Sequence, residues 1–442
     1  MKGLIEKIKQ IWSIDELRKR IILTLTLILV YRIGSYVVLP GIDPSELKPA
    51  GGLLGLLNIF VGGAFSRGSI MALGIMPYIS ASIIMQLMGI AVPAIQKMQQ
   101  EGESGRKRVN QITRVLTIAI CAVQAPAFMA QVPAEALPAN PSGLWWISTV
   151  TLLITGTMFA MWLGEKITDK GIGNGISILI MIGIIAGLPG AFGQEVVERM
   201  KSGGFVILLI EMVFLVVVTM LAILLVQGTR RIPIQSTKRV VGARGSRQMV
   251  EGGARSYIPL KVNSAGVMPI IFAQALMFLP LFLFPNNTSL ANINGFLYNF
   301  IFAVLIIVFT YFYTAITVNP NRIAEDLNRS GSFIPGVKPG ASTANFIDTL
   351  LSRITLPGSI FLALIAILPV FAYQANINQQ FALFYGGTSL LILVGVMLDT
   401  LQQIETHLLN RQYDGLMKTG KIKGRSGAGT AFASSGNNAS SF

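Results

Sequence analysis

Acidic and histidine side chains inside long apolar segments are the residues of this chain most able to do chemistry, because they can relay protons or bind a coupling ion. They are few: Glu211 lies within one apolar segment, Asp399 lies near the end of another, and His407 is the single histidine. No spacing of His, Cys, Asp or Glu in the sequence indicates a metal site, and no nucleophile stands beside a base. The sequence therefore predicts no enzyme, no cofactor and no metal, and Glu211 can equally pair with a partner subunit or reach towards the membrane surface.

Aliphatic side chains at helical spacing are a second kind of candidate. Ile79 and Ile83 lie four residues apart, as do Ile176 and Ile180, so each pair occupies one face of a helix. The same spacing is typical of ordinary packing against lipid or within a helix bundle. Spacing alone does not separate a functional role from that packing.

The stretch Asn58–Gln86 combines a short irregular part with a helix. Asn58–Arg67 is apolar, but it is too short and too rich in glycine to span a bilayer, which needs about 20 apolar residues. The helix that follows carries Ser80, Ser82 and Gln86 on an apolar surface. Irregular backbone survives at membrane depth only beside protein or a water-filled cavity. The stretch therefore predicts an interior space with a small mobile element at its mouth.

Composition sets the class of protein to which these elements belong. The 442-residue chain is 52% hydrophobic, has a mean hydropathy of +0.63, and only 12% of its residues are charged, about half the soluble average. These values are typical of a polytopic membrane protein. Ten apolar segments are predicted to span the membrane: Ile21–Val38, Ser69–Ile90, Val115–Ala130, Leu144–Leu163, Ile176–Leu188, Phe205–Val226, Ser264–Phe284, Phe296–Val318, Ile354–Tyr373 and Leu383–Leu401.

The fifth of these segments is the shortest and follows a glycine-rich sequence, GIGNG at 171–175. The glycine spacing differs from that of a dinucleotide-binding loop, so we predict a flexible turn with Asn174 as a helix cap. The three glycines are expected to extend the fifth span at its start.

Basic residues orient the spans, because loops on the cytoplasmic side of a membrane carry an excess of Lys and Arg. The N-terminus, alternate loops and the C-terminus hold 30 of the 35 Lys and Arg residues, whereas the other loops hold Lys48, Arg67, Arg199 and Lys201. Both termini are therefore predicted to be cytoplasmic, with Asn58–Arg67 on the outer side. Ten spans also divide into two halves of five that run in opposite senses, as in an inverted repeat; ten spans without a repeat are the alternative.

Two predicted cytoplasmic loops are too long and too distinctive for plain connectors. Gln227–Asn263 holds eight basic residues and one acid, which suits an RNA backbone, an acidic protein surface or anionic lipid. Asn319–Arg353 contains a turn, Phe333–Gly340, that two prolines stiffen and that presents Lys338 and Pro339 for docking. The arginines expected to make contacts in the first loop are Arg230, Arg231, Arg239, Arg244, Arg247 and Arg255.

Six motifs occur in order along most of the chain. They read ALGIMPYISASI at 72–83, EGESGR at 101–106, GIGNGIS at 171–177, LKVNSAGV at 260–267, FIPGVKPG at 333–340 and GGTSLLI at 386–392. Together they resemble the bacterial SecY family, whose members are channel subunits of the Sec protein translocon. One departure is Lys338, where the family usually has Arg: lysine keeps the charge but lacks the bidentate fork, which changes the detailed contact rather than the docking role.

The resemblance implies an all-α polytopic membrane protein whose ten transmembrane helices form two inverted five-helix halves, a clamshell around an hourglass pore. It implies a channel that translocates unfolded secretory polypeptides across the bacterial cytoplasmic (inner) membrane and releases transmembrane segments sideways into lipid. In this chain the halves correspond to 21–188 and 205–410, joined by an external hinge loop at 189–204. An amphipathic helix at 1–20 precedes them, and a cytoplasmic tail at 411–442, expected to be disordered in its Gly/Ser-rich part, follows them.

The resemblance also implies a pore ring and a plug. A ring of aliphatic side chains resists wetting, blocks ions and gives a passing chain no hydrogen bonds to hold it. Its members here are Ile79, Ile83, Ile176, Ile180, Ile271 and Ile392. The plug, about 53–70, is expected to be a removable stopper that packs weakly, because its two glycines have little side-chain area. Its central residues are Asn58, Ile59, Phe60, Val61, Gly62, Gly63, Ala64, Phe65, Ser66 and Arg67.

The family's lateral gate lies between spans two and three on one side and spans seven and eight on the other. Gln86, Gln124 and Gln274 are polar residues of these spans, expected either to hydrogen-bond across the closed gate or to pack in isolation. The implied partners are the SecE and SecG subunits, the SecA motor ATPase, the ribosome with its RNA backbone, signal sequences, nascent chains and membrane lipid. The alternatives are a ten-helix inverted-repeat solute transporter, which needs a midplane site, and an anchored scaffold that transports nothing.

Overall fold

The protein is a bundle of helices with one small sheet at one end. The computed structural model describes residues 11–12, 14–47, 55, 58–130, 132–138, 141–201, 204–236, 256–283, 295–375, 377–385 and 387–419. Within these ranges a helix occupies each of the ten predicted apolar segments, as expected of backbone that must satisfy its own hydrogen bonds in lipid. Most of the predicted N-terminal amphipathic helix and the end of the tail lie outside the described residues.

The first five spans correspond to six helices, because the second span is followed by a separate short helix. Pro93 starts that short helix and cannot donate a hydrogen bond back to the preceding turn, so the chain bends by 106°. The helices are α1 (Asp15–Gly34), α2 (Met76–Ala91), α3 (Pro93–Gln100), α4 (Glu103–Met129), α5 (Gly143–Lys170) and α6 (Gly175–Lys201).

Among the described residues, the last five spans correspond to five long helices with two short ones between them. Proline begins the first of the short helices, where its missing N–H is not needed, and the Asn319 side chain caps it. In chain order the helices are α7 (Phe205–Gln227), α8 (Met268–Leu283), α9 (Phe296–Thr317), α10 (Pro320–Arg329), α11 (Ala341–Gln374), α12 (Gln379–Ala382) and α13 (Gly387–Thr419).

Length and composition support membrane crossing. Seven of the described helices are long and apolar enough to cross a membrane, and the bent pair α2–α3 makes an eighth. α1 is 20 residues long but carries Arg18, Lys19, Arg20 and Arg32, and the described apolar part of α8 is Met268–Met277. Only 17% of the most apolar part of α7 is buried in the protein, so most of its surface is free to face lipid.

The start of α6 is extended less than predicted. Of the three glycines expected to extend the span, only Gly175 is helical, and residues 171–174 form a turn before it. The predicted cap is confirmed, because the Asn174 side-chain oxygen accepts hydrogen bonds from the backbone N–H groups of Ile176 at 3.2 Å and Ser177 at 3.4 Å.

α6 also continues further than predicted. It passes through Pro189 and ends at Lys201, so most of the predicted hinge loop 189–204 is helical. Glu195 and Arg199 form an ion pair at the i, i+4 spacing that supports this last part of the helix.

A small sheet joins the two long loops. β1 (Thr229–Ser236) pairs antiparallel with β2 (Ser256–Lys261), with Thr229 opposite Lys261, and β3 (Ser332–Phe333) adds to the other edge of β1. The second loop therefore docks on the hairpin of the first, and we call this end of the bundle the hairpin face. The sheet and the neighbouring helices enclose a separate apolar core: Ile232, Leu260, Leu327, Ile334, Ile347 and Leu351.

Candidate pore, plug and gate

Six isoleucines from both halves of the chain meet in one apolar cluster. They belong to α2, α6, α8 and α13: Ile79, Ile83, Ile176, Ile180, Ile271 and Ile392. Five of them are 1–6% exposed, and Ile176 packs partly buried against the others. Four of them line a cavity of about 160 Å³: Ile79, Ile176, Ile180 and Ile271. Four of the six predicted ring residues therefore lie around one narrow space, and Ile83 and Ile392 belong to the same apolar cluster.

A wider cavity lies towards each end of the bundle. The one at the hairpin face, about 640 Å³, is lined by polar groups that include Lys261 and Gln403, and it shares Asn174 and Met268 with the narrow space. The one at the opposite end, about 520 Å³, is lined in part by Arg32 and by residues of the predicted plug. A narrow aliphatic space between two wider polar ones has the outline of an hourglass.

The residues with acid–base chemistry do not converge on a midplane site. Asp399 and His407 both line the wide cavity at the hairpin face. Glu211 on α7 is buried and pairs with Arg199, its Oε1 lying 2.7 Å from the guanidinium nitrogen. Among the described residues, no group of three or more His, Cys, Asp or Glu side chains could hold a metal ion. Glu211 therefore belongs to an ion pair, and Asp399 and His407 belong to the wall of a cavity. The three residues do not form an ion-coupling site.

The plug segment, residues 58–67, begins with three helical residues, 58–60, and continues as a turn held by its own hydrogen bonds. The Asn58 carbonyl oxygen accepts from the Gly63 N–H at 2.8 Å, and the Asn58 side-chain oxygen accepts from the Ser66 N–H at 3.0 Å. The Ser66 hydroxyl donates to the Gly63 carbonyl at 3.2 Å. These bonds satisfy backbone N–H and C=O groups that have no partner in a regular helix or sheet. A non-helical segment can therefore remain inside the protein.

The plug segment is seated on α6 at a glycine. A Cβ added to Gly183 would lie 2.1 Å from the carbonyl oxygen of Phe60 and 3.2 Å from the nitrogen of Gly62. Glycine is thus required for the plug backbone to approach α6 this closely. Gly62 adopts a φ of +67°, the left-handed region that favours glycine, and this turns its backbone towards α1.

Two arginines bind the carbonyl oxygen of Gly62. Arg32 of α1 donates to it at 3.1 Å and Arg67 donates to it at 2.8 Å. Both guanidinium groups lie over the ring of Tyr36, at 5.4 Å and 4.3 Å from its centroid. Sequence reasoning missed the roles of Gly183 and Arg32; the signal available for Arg32 is that it is the single basic residue within the first predicted span.

The expectation that the plug packs weakly is wrong. Phe60, Val61 and Ala64 are 6%, 2% and 0% exposed. The ring of Phe65 makes an edge contact with Phe128 of α4, with centroids 4.9 Å apart. The plug glycines do lack side-chain area, but they bring the backbone against α6 while their neighbours fill the remaining space.

The two halves touch at several places, including α2 against α8 and α6 against α13. Gln86 of α2 donates to the Ser82 hydroxyl of its own helix at 3.5 Å, and Gln274 of α8 donates to the Tyr298 hydroxyl of α9 at 3.5 Å. Gln124 of α4 is 7% exposed. The hydrogen bonds of Gln86 and Gln274 within the described part of the chain stay on one side of the predicted gate, so the expected bond across the gate is not observed for these two residues.

The basic side chains of the hairpin face are exposed. Arg230 and Arg231 lie on β1 and, with Arg353 of α11, line a shallow cavity of about 620 Å³. Lys338 and Pro339 are exposed at the tip of the turn after β3. The remaining arginines predicted to make contacts lie outside the described residues: Arg239, Arg244, Arg247 and Arg255.

A bundle of apolar helices with an aliphatic narrowing between two polar cavities defines an α-helical membrane channel. The profile of the SecY family, described as SecY, matches residues 69–401. The chain belongs to the SecY family.

Relatives cover nearly the whole chain. The protein translocase subunit SecY of Thermotoga maritima is 41% identical over 442 residues, which are 94% of this chain and 99% of that protein. The subunit of the same name from Thermus thermophilus is 40% identical over 443 residues, 95% of this chain and 99% of that protein. The one from Escherichia coli K12 is 39% identical over 435 residues, 93% and 96% of the two chains.

Solved structures share the fold at low sequence identity. A structure described as a protein conducting channel matches with a TM-score of 0.66 at 16% identity. A SecY whose plug domain is described as stabilising the closed state and maintaining a membrane seal matches at 0.62 and 17%. Sec61 in the canine ribosome-channel complex from the endoplasmic reticulum matches at 0.62 and 16%. Each covers 91% of this chain and 94% of the other, so the channel fold is shared along almost the full length.

Proposed function

We propose that this chain is a protein-conducting channel that translocates unfolded secretory polypeptides across the bacterial cytoplasmic membrane and releases transmembrane segments sideways into lipid. The observation that carries the proposal is the aliphatic narrowing between two polar cavities. Isoleucine side chains resist wetting, which blocks ions, and they present no hydrogen-bonding groups to a polypeptide that passes between them. A site that binds a solute needs the opposite, a few polar groups fixed around the ligand.

The proposed orientation has the hairpin face and both termini in the cytoplasm. The support is the charge asymmetry, since 30 of the 35 Lys and Arg residues belong to the termini and loops of that side. The wide cavity at the hairpin face then admits the polypeptide, and the cavity beside the plug segment opens to the outside.

The plug segment is proposed to close the outer cavity at rest and to move aside during transport. Its attachment combines burial of Phe60 and Val61 with the two bonds at the Gly62 carbonyl. Hydrogen bonds to charged groups contribute about 1.5–3 kcal/mol each, so release needs a ligand that compensates for a few kcal/mol. The six isoleucines belong to helices outside the plug segment, although Phe60, Val61 and Ala64 pack in the same apolar cluster. They are proposed to continue to surround the polypeptide when the plug segment moves.

The lateral gate is proposed to open between α2 and α4 on one side and α8 and α9 on the other. α2 and α8 are in contact and both are largely apolar, so an entering signal sequence is proposed to exchange apolar contacts for other apolar contacts. The bonds from Gln86 to Ser82 and from Gln274 to Tyr298 keep polar groups paired within each side. We propose that this local pairing, rather than a bond across the gate, limits the polar cost of opening.

The exposed cations of the hairpin face are proposed to bind the SecA motor ATPase and the RNA backbone of the ribosome. Arg230, Arg231, Lys338 and Pro339 are accessible there, and phosphate or acidic side chains suit guanidinium and ammonium groups. SecE and SecG are the proposed companion subunits. The chain supplies no energy itself; a translating ribosome, or SecA with ATP, and the proton motive force supply it.

Reconstitution tests the proposal. The purified chain is incorporated into proteoliposomes with SecE and SecG, then supplied with SecA, ATP and a secretory precursor. We expect ATP-dependent protection of the precursor from external protease. Uptake of a small solute without precursor import would instead support the transporter, and neither activity in correctly assembled vesicles would support the scaffold.

A further inference from the structure

Two glutamates and one arginine lie together where the end of α6 meets α7. Glu195 and Arg199 are one turn apart on α6, and Glu211 belongs to α7. The Arg199 Nε lies 2.8 Å from Glu195, and another of its guanidinium nitrogens lies 2.7 Å from Glu211. The side chains of the two glutamates are only 1% and 6% exposed. A buried charge is costly unless another charge balances it, and here two carboxylates share one guanidinium.

Among the described residues, no further cation balances the pair. Glu211 is the single charged residue of α7, and residues 375–385 carry no charge. The other charged side chains near the end of α6 are exposed, namely Glu198 and Lys201. The charged residues of α5, α11 and α13 lie towards the hairpin face, and the two arginines of the outer cavity bind the Gly62 carbonyl.

The two carboxylates differ in their hydrogen bonds. One oxygen of Glu195 accepts from the Arg199 Nε at 2.8 Å, and the other accepts from the backbone N–H of Asn378 at 3.0 Å. Neither oxygen of Glu211 accepts a hydrogen bond of suitable geometry from a described residue. The Glu211 side chain nevertheless lies within hydrogen-bonding reach of Glu195. Two carboxyl groups this close do not both ionise, so the pattern indicates an ionised Glu195 and a protonated Glu211.

A tyrosine hydroxyl beside the pair also has no partner. Tyr385 is 0% exposed, and its hydroxyl makes no hydrogen bond within the part of the chain that the structure describes. Its ring stacks on Phe214, with centroids 5.9 Å apart, and Phe214 follows Glu211 by three residues on one face of α7. The hydroxyl interacts electrostatically with both glutamates. It can therefore donate to the carboxylate that appears when a proton leaves the pair.

Water can reach this pair from outside. Gln194 and Asn378 line the cavity of about 520 Å³ beside the plug segment. Gln194 directly precedes Glu195, and the Asn378 N–H binds the Glu195 carboxylate. The pair thus lies directly behind the polar wall of the outer cavity, where a proton can exchange.

We propose that Glu195 and Glu211 form a carboxyl–carboxylate pair that binds one proton beside the outer cavity, with Arg199 balancing the carboxylate that stays ionised. A metal ion fits less well, because the described part of the chain brings no third acidic or histidine ligand to the pair. With the proton bound, the site is neutral. Without it, two buried carboxylates repel each other across one guanidinium, so the protein loses stability as the pH rises.

Infrared spectroscopy of the purified complex with SecE and SecG detects the proton. The carbonyl band of a buried protonated carboxyl should be present in the wild type and lost at alkaline pH. Glu211→Gln should remove this band. Glu195→Gln should remove it as well, because the remaining Glu211 then has Arg199 to itself and ionises. Glu325→Gln is the matched control, since it removes an exposed glutamate of an ion pair and should leave the band unchanged. A band that survives both substitutions, or that is lost only in Glu211→Gln, overturns the shared proton.

Thermal unfolding gives an independent readout. The Tm of the wild-type complex should fall between mildly acidic and mildly alkaline buffer, and Glu211→Gln, whose amide can donate where the proton was, should reduce this fall. Tyr385→Phe should shift the loss of the infrared band to higher pH, because the ionised pair then lacks a donor. An equal fall in Tm in wild type and Glu211→Gln, or a wild-type Tm that depends on sodium ions instead of pH, contradicts the proposal.

Discussion

Replacing Gly183 with alanine is expected to unseat the plug segment without changing any of its residues. The new Cβ would point at the backbone of Phe60, 2.1 Å from its carbonyl oxygen. A backbone carbonyl cannot avoid the new Cβ by changing a side-chain rotamer, so the plug segment or α6 must move. Because α6 also carries Ile176 and Ile180 of the central cluster, we expect the smaller plug segment to yield.

The size of the effect follows from the contact. The two atoms must separate by at least about 0.9 Å, the difference between 2.1 Å and the 3.0 Å below which Cβ contacts are not found. Such a shift carries the Gly62 carbonyl away from Arg32 and Arg67, which now bind it at 3.1 Å and 2.8 Å. Overpacking of this kind costs about 1–3 kcal/mol. The fraction of channels with a displaced plug should rise about 5- to 150-fold.

Ion conductance at rest measures this fraction. Channels carrying Gly183→Ala, reconstituted in planar bilayers without SecA or ribosomes, should open more often than wild type. Gly193→Ala is the matched control, since it adds the same methyl group to α6 where a Cβ meets nothing within 4 Å. Equal resting conductance for the two variants, with precursor transport intact in both, would refute the seating of the plug on Gly183.

Three further perturbations test the plug, the docking surface and the gate. Deletion of Ile59–Phe65 should leave an assembled channel, because the isoleucines on the helices remain. Its resting conductance should be raised, because the stopper is gone. Lys338→Glu should reduce SecA-driven import in proteoliposomes several-fold, since it reverses the charge at the exposed tip, whereas Asp348→Lys on α11 of the same loop adds a cation and should not. Gln274→Leu should lower the stability of the protein by about 1–3 kcal/mol, because it leaves the buried Tyr298 hydroxyl without its partner, but it should not change export of precursors with defective signal sequences, because the bond lies within one side of the gate.

Each of these three predictions would be contradicted by a particular result. A deletion variant that cannot assemble would make the plug segment a structural element rather than a stopper. Normal import by Lys338→Glu would remove Lys338 from the SecA contact. Altered selection between normal and defective signal sequences in Gln274→Leu would show that the bond to Tyr298 takes part in gating.

Helical spans and their order were predictable because hydropathy and proline positions act locally. Asn174 was also predictable as a cap, since capping depends on a side chain and the two or three residues after it. The end of α6 was not: Pro189 and the glycines around it suggest a loop, and the helix continues because Glu195 and Arg199 find partners on α7 and near α12. Such partners are distant in sequence and leave no periodic signal.

Some residues of the site could likewise be predicted from the sequence and others could not. The isoleucine positions could be named from motifs, and four of the six line one narrow cavity. The seat of the plug could not, because close approach of the Phe60 backbone to Gly183 depends on how α6 lies against another part of the chain. The glutamines show the limit of reasoning from residue type, since a polar residue at an interface can bond across it or back to its own side, as Gln86 and Gln274 do.

The most direct test of the account is whether a translocating polypeptide touches the isoleucine cluster. A photocrosslinking side chain is introduced at Ile180, in the cluster, or at Leu209 of α7, which is 54% exposed on the outside of the bundle. A precursor is then arrested midway through the reconstituted channel. The account predicts an adduct with the precursor from position 180 and none from position 209; import that proceeds with no adduct from position 180 would contradict it.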